Sequence, residues 1–134
     1  MGAWGHLAFE NDDACDWACD LEDVADLSLV EEALGAVEEA DDYLEAPEAA
    51  MAIGACELLA RLRGNHGYQN DDTKKVDAWV RENPMQPSPQ MLERATAVIE
   101  RILGDESELC ELWEEADTSA WQESIADLRG RLTR

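Results

Sequence analysis

The stretch PEAAMAIGACELLARLRG, residues 47–64, decides the fold of this chain. Pro47 suits the first turn of a helix, where its missing N–H is not needed, and Gly64 suits the position just past a helix end. The segment is rich in alanine, and its larger apolar residues include Ile53, Leu58, Leu59 and Leu62. This pattern predicts a helix that is the most buried element of the protein.

Helical periodicity continues on both sides of this segment. Asn11 is predicted to cap a first helix over about residues 12–25. Ser28 and Glu31 have the spacing of a capping box, ahead of a second helix that runs to about Tyr43. Four further helices are predicted to begin at Asp72 or Thr73, at Ser88, at Ser107, and at Thr118 or Ser119.

No segment alternates with a period of two residues, so nothing in the sequence favours a β-strand. The sequence therefore predicts an all-α fold, a compact bundle of about six to seven short helices. A length of 134 residues predicts a single domain over 1–134, in which residues 1–10 form an apolar lead packed on the bundle. No membrane span or secretory signal is found, and we expect a cytoplasmic protein.

Charge is the unusual property of this sequence. There are 32 acidic and 10 basic residues, which gives a net charge of −22. Residues 1–60 hold 17 of the acids and no Lys or Arg, so this half has a net charge of −17 against −5 for residues 61–134. A surface of this kind repels nucleic acid and anionic membranes and attracts basic proteins. We therefore predict a basic protein partner and no direct binding of nucleic acid or membrane.

On a helical wheel, the acids of the first helix lie opposite its apolar side, so its outer face is acidic. The second helix has the same arrangement. Trp4 stands in the apolar lead between two glycines, where it is predicted to fasten the lead to the bundle or to contact a partner. The predicted interaction surface consists of Trp4, Glu10, Asp12, Asp13, Asp16, Asp20, Asp23, Glu38, Asp41 and Asp42.

Catalytic and metal-binding patterns are absent from the sequence. The two histidines, His6 and His66, are sixty residues apart, and no His-Glu-x-x-His motif occurs. Cys15 and Cys19 lie one helical turn apart, but packing of two small free thiols explains them better than a metal site does. We expect no cofactor, no bound metal and no catalytic residue, and we favour a role that is not enzymatic.

The sequence resembles a bacterial family known as domain of unknown function 4259. The resemblance rests on MGAWG at residues 1–5, FENDDA at 9–14 and DW at 16–17. The end of the chain, with LWEE at 112–115 and the segment 121–132, is also similar to that family. As its name says, the family implies no activity.

Three functions stay open at this point. The first is a protein-binding module that engages a basic partner through the acidic half, for example as the immunity protein of a toxin. The alternative is a small cation-dependent enzyme or metal-binding protein that uses the acidic segment from Asn11 to Asp16. The third is that the acidity only supplies solubility. The sequence does not predict the oligomeric state.

Overall fold

The computed structural model describes residues 7–69, 71–115 and 119–133, and these residues form seven α-helices. The helices are α1 (Asp12–Asp20), α2 (Ser28–Glu38), α3 (Ala46–Leu62), α4 (Lys74–Glu82), α5 (Pro89–Leu103), α6 (Glu108–Glu115) and α7 (Ser119–Thr133). Single 3₁₀ turns, Leu21–Asp23 and Asp71–Thr73, follow α1 and precede α4. No β-strand occurs in the described ranges, and one isolated parallel bridge joins Leu44 to Ser107. The predicted all-α fold is confirmed.

The central element of the bundle is α3, which contacts each of the other six helices. From Ala49 to Leu62 every residue except Met51 is buried. A helix can be apolar on all sides only where neighbouring elements cover it on all sides. The alanine-rich segment is therefore the buried element that its sequence predicts.

Small residues on α3 let two aromatic rings approach its backbone. A Cβ atom added to Gly54 would lie 3.1 Å from Cε1 of Phe9 and 3.6 Å from Cε3 of Trp17. Both aromatic side chains are buried, and Phe9 is 0% exposed. The end of the apolar lead thus packs on the bundle at Phe9, whereas residues 1–6 of that lead lie outside the described residues.

Two predicted helix starts have the expected capping bonds. The side chain of Asn11 accepts a hydrogen bond from the N–H of Ala14 at 2.8 Å, and the hydroxyl of Ser88 accepts one from the N–H of Met91 at 3.1 Å. These bonds satisfy amide groups that the first turn of a helix leaves without a partner. Local sequence therefore fixes where α1 and α5 begin.

The capping box predicted at Ser28 is wrong. Ser28 is the first residue of α2, and both its N–H and its hydroxyl donate to one carboxylate oxygen of Asp26. Both hydrogen bonds lower the pKa of Asp26, and the bond from the hydroxyl has the larger effect. The side-chain acceptor at the start of α2 is therefore Asp26, whereas the sequence pattern predicts Ser28.

The predicted ends of α1 and α2 are also too late. After Asp20 the chain tightens into the 3₁₀ turn, and α2 ends at Glu38 instead of near Tyr43. Acids at a helix C-terminus are unfavourable because the helix dipole is negative there. In addition, the backbone of Leu44 bonds to Glu106 and Glu108, which requires an extended chain at that point.

Candidate functional site

Most carboxylates of the predicted interaction surface are exposed. Eight of them form what we call the acidic surface, namely Asp12, Asp13, Asp16, Asp20, Asp23, Glu38, Asp41 and Asp42. They belong to α1, α2 and the residues that follow each, and both helices pack on α3 through their apolar sides. Glu10 is only partly exposed, since its carboxylate accepts the N–H of Leu7. Trp4 lies outside the described residues.

Basic side chains from the second half of the chain hardly neutralise this surface. Arg94 forms a two-bond salt bridge with Glu38, at 2.8 and 3.0 Å. Its hydrogen bonds lower the pKa of Glu38. The other seven carboxylates of the acidic surface form no salt bridge with any described residue. Lys75 pairs with the neighbouring Glu22 at 3.0 Å. Most of the negative charge is therefore left facing solvent.

A single large apolar side chain, Tyr43, is exposed among the described residues, at 43% of its surface. It follows Asp41 and Asp42 directly, and its hydroxyl donates to a carboxylate oxygen of Glu111 at 3.2 Å. Partial desolvation, this hydrogen bond and the charge of nearby glutamates raise the pKa of Tyr43. An aromatic ring thus lies at the edge of the acidic surface, between α2 and α6.

The acidic segment near Asn11 has no geometry of a metal site. The side-chain oxygen of Asn11 is occupied by the cap of α1, and no group of three or more His, Cys, Asp or Glu that could hold an ion occurs within the described ranges. His66 is exposed, and His6 lies outside the described residues. The cation-dependent alternative gains no support from this arrangement and stays a prediction.

The thiols of Cys15 and Cys19 differ in their surroundings. Cys19 is exposed, whereas Cys15 is partly buried and its thiol donates to the carbonyl oxygen of Phe9 at 3.0 Å. Burial and then the negative charge of Asp72 raise the pKa of Cys15. A thiol held protonated is a poor nucleophile and a poor metal ligand. The geometry agrees with ordinary packing at Cys15.

A buried charge network was missed at the sequence level. Glu57 on α3 lies between two arginines, Arg61 one turn later and Arg131 on α7. The side chains of Glu57, Arg61 and Arg131 are 3%, 0% and 5% exposed. Arg131 donates to both carboxylate oxygens of Glu57, at 2.9 and 2.7 Å, and to Asp127 at 2.7 Å. Burial acts to lower the pKa of Arg131, but its carboxylate partners outweigh burial and raise it.

The second arginine of this network joins α3 to α4. Nε of Arg61 donates to Asp77 at 2.9 Å, and the other oxygen of Asp77 accepts the hydroxyl of Thr73 at 2.8 Å. Arg61 also donates to the carbonyl oxygen of Tyr68, and its guanidinium lies 5.5 Å from the centre of that ring. Buried charges are tolerated only when paired and hydrogen-bonded, and here they are. The network therefore holds α3, α4 and α7 together.

The sequence does contain one local signal of this network. Glu57 and Arg61 are four residues apart, and the rest of the helix from Ala49 to Leu62 carries no charge, so such a pair can only be buried together. Arg131 is 74 residues from Glu57, and no local pattern connects the two. Gly67 adds a structural requirement, because a Cβ there would lie 2.7 Å from the guanidinium carbon of Arg131.

Comparison with known proteins identifies a family and no activity. A family model described as "Domain of unknown function (DUF4259)" matches residues 2–124 of the chain. No match was found among curated proteins or among solved structures. Within the described ranges, no helix is both long enough and apolar enough to cross a membrane.

Proposed function

We propose that this chain, which belongs to the family described as domain of unknown function 4259, is a protein-binding module that engages a basic partner through its acidic surface. The observation that supports the proposal is the set of seven exposed carboxylates that form no salt bridge with a described residue. An immunity-like role, with a basic toxin as the partner, is one form of the proposal. We place this role in the bacterial cytoplasm, without direct contact to nucleic acid or membrane.

Uncompensated surface charge acts mainly on the rate of association. At physiological salt the screening length is about 8 Å, so the attraction works in the last stage of approach. Charge complementarity raises association rate constants from about 10⁵–10⁶ M⁻¹s⁻¹ toward 10⁸ M⁻¹s⁻¹ or more at low salt. A partner attracted by the acidic surface should therefore bind quickly, and more slowly as salt is added.

Slow dissociation of the complex requires a contact from which water is excluded, and Tyr43 is suited to provide this contact. Tyrosine is enriched among the interface residues that carry most of the binding energy. Its ring is exposed beside Asp41 and Asp42, and a glutamate of α6 accepts its hydroxyl. A lysine or arginine of the partner would contact the ring face and the adjacent carboxylates together.

The proposal is tested with two variants that change the net charge equally. The first replaces five carboxylates of the acidic surface by their amides, at Asp16, Asp20, Asp23, Asp41 and Asp42. The matched control replaces five exposed acids of the second half that form no salt bridge with a described residue, namely Glu82, Glu93, Asp105, Glu115 and Glu123. Each protein is cross-linked in native lysate of the source cells, and the captured partner is then purified for stopped-flow kinetics.

We expect a partner of net positive charge that wild type and control capture and that the acidic-surface variant loses. With purified partner at low salt, the acidic-surface variant should associate about 10-fold more slowly or worse, while the control changes little. Tyr43→Ala should instead raise the dissociation rate, by about 5- to 30-fold. An acidic partner, or equal losses in the two charge variants, would contradict the proposal.

A further inference from the structure

A cavity of about 150 Å³ lies between α3, α7 and the loop that carries Tyr68. Ile53 of α3 and Ile125 and Leu128 of α7 form its apolar wall. The polar part of the wall includes Tyr68, which carries a hydroxyl, and the paired side chains of Glu57 and Arg131. Apolar walls with a few fixed polar groups are typical of sites that bind small molecules.

Tyr68 lines this space, and its hydroxyl is available as a hydrogen-bond donor. Its hydroxyl oxygen accepts the N–H of Phe9 at 2.9 Å, and its ring is fixed against the guanidinium of Arg61. Among the described residues no acceptor takes the proton of this hydroxyl, which burial keeps on the oxygen by raising the pKa of Tyr68. Because contacts to its oxygen and to its ring already hold the Tyr68 side chain in place, this side chain loses little conformational entropy when it donates to a ligand.

Size and charge restrict what the cavity can hold. An engineered apolar cavity of about the same volume, roughly 150 Å³, is known to hold benzene. The charged side chains at the polar wall are one arginine and two carboxylates, Glu57 and Asp127, and both carboxylates are bonded to Arg131. Glu57 is also paired with Arg61, so the charges of the lining are already bonded to one another and favour neither an anion nor a cation as the ligand.

We propose that this cavity binds a small neutral organic molecule with an apolar body and one hydroxyl or carbonyl oxygen, which accepts the hydrogen bond of Tyr68. The apolar body lies against Ile53, Ile125 and Leu128. This binding site is separate from the acidic surface, and the proposal does not depend on a protein partner.

Phenol and toluene are the probes for this site, because they match in shape and only phenol carries an oxygen. Full-length protein with ¹³C-labelled isoleucine methyl groups is titrated with each. Ile53 and Ile125 line the cavity, whereas Ile99 and Ile102 are buried without lining it and serve as internal controls. Phenol and toluene should both shift the methyl resonances of the first pair saturably and leave those of the second pair unchanged.

Two variants test separately the hydrogen bond from Tyr68 and the volume of the cavity. Tyr68→Phe should lower the affinity for phenol relative to toluene by about 2- to 12-fold, as expected for the loss of one hydrogen bond. Ala8→Leu adds three carbons at the cavity wall and should abolish the shifts caused by either probe. If Tyr68→Phe does not fold, Ala8→Leu still tests the site. The proposal is overturned if phenol shifts neither lining isoleucine, if the control isoleucines shift equally, or if Tyr68→Phe leaves the phenol-to-toluene ratio unchanged.

Discussion

Replacing Glu57 by glutamine removes the anion that two buried guanidinium groups share. The side chains of Arg61 and Arg131 are 0% and 5% exposed, so water cannot take over the role of the lost carboxylate. Glutamine has nearly the shape of glutamate, so the change removes charge and leaves packing almost unaltered. Two like charges then lie close together in the interior, balanced only by Asp77 and Asp127.

Breaking a buried ion pair by removing one partner costs about 3–5 kcal/mol. Since Asp77 and Asp127 remain in place, we expect about 3 kcal/mol for Glu57→Gln, near the lower end of this range. For a domain of this size, that corresponds to a fall in Tm of about 10–15 °C. The variant should stay folded at 25 °C, because small domains have free energies of unfolding of about 5–15 kcal/mol.

Urea unfolding, followed by tryptophan fluorescence and by far-ultraviolet circular dichroism, measures this cost. The matched control is Glu38→Gln, which breaks the salt bridge with Arg94 whose side chains are 39% and 36% exposed. An exposed pair of this kind contributes about 0–1 kcal/mol. Adding Arg131→Met to Glu57→Gln removes the surplus positive charge and should recover at least half of the loss. A cost for Glu57→Gln no larger than that of the control, or additive effects of the two changes, would refute this account of the network.

Three other substitutions or reactions test separate parts of the structure. Gly67→Ala should destabilise the protein by about 1–3 kcal/mol in urea unfolding, because the added Cβ would lie 2.7 Å from the guanidinium carbon of Arg131. This cost should be smaller when the same change is made in an Arg131→Met background. Asn11→Ala should cost about 0.5–2 kcal/mol through loss of the cap of α1, whereas an unchanged midpoint would show that the cap is not formed. In a thiol-reagent assay at pH 8, the exposed Cys19 should react within seconds, and Cys56, which is fully buried with its pKa raised by burial, should react only after unfolding. Equal rates for these two thiols in the native protein would contradict their assigned burial.

The helices could be predicted from the sequence because their signals are local. The cap at Asn11 and the alanine-rich segment 47–64 each depend on neighbours within a few turns. The end of α2 could not be predicted in the same way. It depends on the bridge between Leu44 and Ser107, two positions far apart in the chain, and tertiary contacts of this kind override local propensity.

The exposure of the acidic surface could be predicted from the sequence. How far basic side chains from elsewhere in the chain neutralise that surface could not. A helical wheel places Asp16 and Asp20 away from the apolar side of α1, and both are exposed. Whether distant arginines cancel such charges depends on the folded arrangement, as the pairing of Arg94 with Glu38 across 56 positions illustrates. The Glu57–Arg131 pair escaped prediction for the same reason, since no periodicity relates residues 74 positions apart.

Carboxylate labelling of the protein alone and in its complex tests the central claim most directly, because it records which acids the partner covers. Peptides from α1 and from the residues that follow α2 contain Asp16, Asp20 and Asp41, and the account predicts that the partner lowers their labelling several-fold. Glu82 and Glu93, which are exposed on α4 and α5, should be labelled equally with and without partner. Protection of Glu82 and Glu93, with Asp16, Asp20 and Asp41 still fully labelled in the complex, would contradict the account.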